Sequence, residues 1–118
     1  MVGNMDIELT RKDRVGCVVF KTPCISEISE TSSGRDILNF IEKEKPEKFI
    51  FDFKEVKFFS SQVLGLLLEA RAKLEKYNGC VIISGINPQL YRVFRITHLD
   101  KIFTFYPDKE SAINAEVQ

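Results

Sequence analysis

Two adjacent serines, Ser60 and Ser61, stand immediately before the apolar run Val63-Leu64-Gly65-Leu66-Leu67-Leu68. That pattern puts them at a helix start. The first turn of a helix carries four unpaired backbone N–H groups and a partial positive charge. A serine hydroxyl there can do one of two things. It can cap the helix by accepting an orphan N–H, which contributes roughly 1 kcal/mol. It can also face solvent and carry a phosphoryl group, which the helix dipole accommodates and which adds about −1.5 to −2 charge units at neutral pH. On a surface that docks a partner, each penalty of about 1.4 kcal/mol changes affinity tenfold. Local sequence leaves both readings open.

No other residue type is spaced for catalysis. Asp52 ends an apolar strand, where α/β enzymes place acids, but no second carboxylate, histidine or metal ligand accompanies it in the sequence. The single histidine, His98, falls near a helix end, where a cap or surface role is expected. The six glycines form neither GxGxxG nor a P-loop. Cys17, Cys24 and Cys80 are scattered, with no CxxC, so neither a disulfide framework nor a zinc site is expected. The expectation is therefore no metal, no cofactor and no enzyme.

With 17 Lys+Arg against 17 Asp+Glu, net charge is zero. That argues against nucleic acid and against attraction to anionic membranes. No apolar run approaches the roughly 18 residues that span a bilayer, and Met1–Thr10 lacks the apolar core of a signal peptide. A cytoplasmic location is expected, and 118 residues fit a single domain spanning 1–118.

The elements that position the serines follow from periodicity. Ile7–Arg11 and Val15–Lys21 predict two strands, with a polar turn at 12–14 and a Ser/Thr/Pro-rich loop from Thr22 to about Ser29. A helix is predicted from about Glu30 to Lys45, ended by Pro46. Strands follow at Lys48–Phe53, Cys80–Ser84 and Ile102–Tyr106. The strongest helix runs Ser61–Tyr77 and stops at Asn78–Gly79. Asn87 caps a helix opening at Pro88 and ending near His98, and Asp108 caps a last one carrying Ala112, Ile113 and Val117. The fold class is α/β, a mixed, mostly parallel sheet of about five strands with about four helices.

At 100° per residue, Val63, Leu66, Leu67, Ala70 and Leu74 form one stripe of the Ser61 helix, which must face the sheet. Leu64 and Leu68 fall on its flank, and Gly65 nearly opposite, toward solvent. A helical Gly is unfavourable by roughly 0.5–1 kcal/mol relative to Ala, which makes sense where another chain approaches closely. A docking face made by Ser61, Leu64, Gly65 and Leu68 is one reading. Burial of both leucines under neighbouring elements is the other. Phe59, beside the serines, belongs either to the core or to that face.

The stretch Val56-Lys57-Phe58-Phe59-Ser60-Ser61-Gln62-Val63-Leu64-Gly65 resembles the STAS domain family, which includes anti-sigma factor antagonists. It falls without gaps on the family's V-x-F-x-D-S-S-G-L-G pattern. The likeness continues through Tyr77–Ser84 and Asn87–Phe103. Val56, Phe58, Ser61, Leu64 and Gly65 match. Ser60 stands in place of the family's Asp, Gln62 in place of its second Ser, and Val63 in place of the following Gly. The resemblance implies phosphorylation at Ser61, with Ser60 as alternative acceptor. It implies partner binding through Phe59, Ser60, Ser61, Gln62, Leu64, Gly65 and Leu68. The implied partners are an anti-sigma factor or serine kinase of the histidine-kinase-like ATPase type and a PP2C-type phosphatase. The alternative is an unphosphorylated scaffold or accessory subunit of a signalling or transport complex.

Overall fold

The computed structural model describes residues 7–25 and 32–115. The expected helix start at Glu30, the end of the Thr22–Ser29 loop and Val117 lie outside them. The β-branched, apolar segment Val15–Phe20 (β2) pairs antiparallel with Ile7–Lys12 (β1), and Asp13 turns the chain between them at φ 56°. On its other side β2 pairs parallel with Lys48–Asp52 (β4), β4 with Cys80–Ser84 (β6), and β6 with Thr104–Tyr106 (β7). The main sheet thus runs β1-β2-β4-β6-β7, five strands, mixed and mostly parallel. The expected last strand begins at Thr104 rather than Ile102, because Leu99–Lys101 form a single 3-10 turn that carries Phe103 into the core.

The helices are Ser32–Glu44 (α1), Ser61–Glu75 (α2), Pro88–Ile96 (α3) and Lys109–Asn114 (α4). α1 stops before Pro46, with Lys45 in the left-handed region at φ 47°. α2 is two residues shorter than periodicity suggests. Its turn residue is Asn78, at φ 69°, while Gly79 fills a different need: a Cβ there would meet Leu74 Cδ2 and the Pro46 carbonyl oxygen, each at 2.9 Å. Asn87 Oδ1 accepts the Leu90 N–H at 2.8 Å, and Asp108 caps α4 through the Ser111 N–H.

Each parallel strand lies one place further along the sheet than its predecessor. Right-handed crossovers of that kind put α1, α2 and α3 on one face. Phe49, Phe51 and Phe53 point into that face with Ile37, Ile41, Phe94 and the α2 stripe Val63, Leu66, Leu67, Ala70 and Leu74, all buried. The opposite face is thinner: Cys17, Val19, Ile50 and Ile82 are covered by Ala112 of α4. Ile113, the next residue of α4, is 37% exposed. β4 also carries a charged residue at each end on this face. Lys48 is buried and donates to the carbonyls of Ala112, Ile113 and Ala115 at 2.8, 2.9 and 2.6 Å, so it closes the C-terminus of α4. Asp52 is equally buried.

One element has no counterpart in the expectation. Cys24–Ile25 (β3) and Phe58–Phe59 (β5) form a second, two-stranded parallel sheet just before α2.

Candidate functional site

β5 delivers the chain to α2, and its two phenylalanines must point to opposite sides. Phe59 turns inward, half-buried, with its ring 5.7 Å from Phe53 and 6.0 Å from Phe94. Phe58 turns outward and is 63% exposed. The register pairs Phe58 with exposed Cys24, and Phe59 with buried Ile25. Three backbone bonds hold the approach. Lys57 and Phe58 donate to the Pro23 carbonyl at 2.8 and 3.0 Å, and Ser60 N–H donates to the Ile25 carbonyl at 2.9 Å.

The two serines stand in different environments. Ser60 has extended backbone (φ −84°, ψ 168°) and is the N-cap, its Oγ accepting the Gln62 N–H at 3.3 Å. Ser61 is the first helical residue and is exposed. Gln62 is half-buried. Gly65 lies one turn on and is exposed, and an added Cβ there would have nothing within 4 Å. Leu68, one further turn along, is 40% exposed. Leu64 goes the other way: at 9% exposure it joins the core cluster, so the fold uses it for packing and not as surface. Ser61, Gly65 and Leu68 thus form the outward line of α2, with Phe58 and Cys24 beyond its N-terminus. Sequence reasoning had not placed Phe58 or Cys24 at the surface. Adjacency alone could not separate them, since neighbouring residues of a strand covered on both faces, such as Phe49, Ile50 and Phe51 of β4, are all buried.

The other candidates are placed elsewhere. His98 is exposed, in the left-handed region at φ 65°, after α3. Asp52 lies at the opposite face of the sheet from α2. Among the described residues no three His, Cys, Asp or Glu converge as a metal site, and no helix is long and apolar enough to cross a membrane.

A sheet whose parallel strands advance in one direction, with three helices on one face and a solvent-facing serine at the tip of the central one, is a narrow class of small α/β domain. The chain belongs to the STAS domain family, which it matches over residues 6–112. Its fold is similar to an anti-sigma factor antagonist from Mycobacterium paratuberculosis, with TM-score 0.79 and 22% identity over 94% of this chain and 92% of that one. It is also similar to the Bacillus cell fate determinant SpoIIAA in its phosphorylated form, with TM-score 0.68 and 21% identity over 92% and 97% of the two chains. A third likeness is to the murine Solute Carrier 26 anion transporter in its inward-facing state, with TM-score 0.62 and 15% identity over 89% of this chain but 18% of that one.

Proposed function

We propose that this protein is a regulatory binding module of the anti-sigma factor antagonist kind, switched by phosphorylation of Ser61. The observation that carries the reading is the division of labour at the helix start. Ser60 supplies the cap, which leaves Ser61 exposed on the first turn of α2, where a phosphate is electrostatically favoured. Around it, Phe58, Cys24, Gly65 and Leu68 offer exposed apolar groups to a partner of the histidine-kinase-like ATPase type. Unphosphorylated, that surface docks. Phosphorylated, it presents a dianion that the partner must desolvate or repel. A PP2C-type phosphatase resets it. The protein is the kinase's substrate and acts in the cytoplasm on transcription through its partner.

Incubation with such a kinase and ATP, followed by intact-mass and peptide mapping, should add one phosphate, on Ser61. Ser61→Asp should weaken docking at least tenfold, with Ser61→Ala close to wild type. Equal affinity for both variants sinks the switch. The likeness to the domain within a transporter supports a second reading, a constitutive accessory subunit using the same face. On that reading no phosphate is added and both variants dock alike.

A further inference from the structure

Among the described residues four polar side chains are buried: Ser33, Lys48, Asp52 and Ser84. Lys48 is fully answered by three carbonyls. Asp52 and Ser84 are not, and they are neighbours. They are register partners on β4 and β6, with side chains on the same face of the sheet, at the carboxyl ends of the parallel strands. Asp52 is 4% exposed, and its carboxylate accepts the Lys54 N–H at 3.1 Å but makes no ion pair among the described residues. Ser84 is wholly buried, and its hydroxyl has no hydrogen-bond partner. Buried charges are normally paired, and buried hydroxyls normally bonded, because leaving either unanswered is costly.

Asp52 lines a cavity of about 460 Å³ between the strand ends and the start of α4. That is within the range of small-molecule sites, roughly 300–1,000 Å³. The wall carries an excess of acid: Glu8, Asp52, Glu55, Asp108 and Glu110 against Lys21, Lys54 and Lys109. Lys21 and Glu8 answer each other at 3.8 Å, which leaves Asp52, Glu55, Asp108 and Glu110 against Lys54 and Lys109. Gly85, at φ 68°, lets the chain pass close to the carboxylate: a Cβ there would lie 3.0 Å from Asp52 Oδ1.

The geometry points to a binding site for a small organic ammonium compound in this cavity, with Asp52 as the counter-ion and the acidic wall as its rim. The site is on the α4 face and independent of the Ser61 surface. The ammonium supplies the positive charge that Asp52 lacks.

The test is an amide chemical-shift titration of the whole protein with 1,4-diaminobutane, alongside uncharged 1,4-butanediol and inorganic phosphate. Diaminobutane should give saturable shifts at Lys54, Gly85 and Lys109, and the other two should give none. Asp52→Asn keeps an oxygen to accept the Lys54 N–H, so it should fold. It should abolish the response and raise the melting temperature of the unliganded protein by relieving an unpaired charge. If that variant does not fold, Glu110→Gln, at an exposed rim position, should weaken the binding several-fold. Shifts that stay linear, that the diol reproduces, that phosphate produces instead, or that either variant leaves unchanged would overturn the assignment.

Discussion

The separation of cap from acceptor at the start of α2 makes a prediction that stability measurements can decide without any partner. Replacing Ser60 by Ala removes the oxygen that accepts the Gln62 N–H at 3.3 Å. N-cap losses span roughly 0.5–2 kcal/mol. This bond is longer than the usual value of about 2.9–3.0 Å, so the lower half of that span, about 0.5–1 kcal/mol, is expected. An unfolding entropy of about 2.1 cal/mol/K per residue over 118 residues gives about 0.25 kcal/mol per degree. Ser60→Ala should therefore lower the melting temperature by about 2–4 °C. Ser61→Ala, at an exposed helical position, should change it by less than about 1 °C. Ser61→Asp places a carboxylate at the positive end of the dipole and should stabilise by about 0.3–1 kcal/mol at low salt, fading as salt rises. Calorimetry at two ionic strengths reads all three. If Ser61→Ala costs as much as Ser60→Ala, or Ser61→Asp destabilises, the cap has been assigned to the wrong serine.

Gly65→Ala meets open space and should stabilise α2 by roughly 0.5–1 kcal/mol while weakening docking, so a rise in melting temperature with lost partner affinity is the expected pair of results. Lys48→Met leaves three α4 carbonyls without their charged donor and should cost about 2–4 kcal/mol, with amide-exchange protection lost first in α4. The thiols should separate by environment. Exposed Cys24 reacts first with a disulfide reagent at pH 8, and the mixed disulfide formed there should block docking beside Phe58. Burial pushes the Cys17 thiol up to about 12, so it stays protonated and unreactive. The folded state then holds that proton more tightly than the unfolded chain. This contribution to stability is full below the unfolded thiol range and is lost as pH rises from about 9 toward 12. A pH series of urea melts should show the decline there.

The main sheet and its helices were legible because their signals are local: β-branched runs for β2 and β6, an apolar stripe at 3.6-residue spacing within α2, and Asn87, Pro88 and Asp108 at helix starts. The β3–β5 pair was not legible. Each strand is two residues long, and their pairing joins segments over thirty residues apart in the chain, so no periodicity reports it. That missing pair is also why Phe58 was not separated from Phe59. Leu64 was ambiguous for a geometric reason: it sits at the edge of the apolar stripe, where packing of neighbouring elements decides its fate. The unanswered Asp52 was invisible, since sequence shows the acid but not the lack of a cation beside it in space.

The backbone bonds from Lys57, Phe58 and Ser60 to Pro23 and Ile25 have a kinetic consequence. They fasten the segment entering α2 to the rest of the domain, so a group added at the helix tip finds no slack loop to rearrange. On the proposed reading, the message at that position is written in charge and not in shape. Free protein should show the same backbone in both chemical states, with no slow relaxation between them. The response time of any circuit built on it is then set by the enzymes that add and remove the group.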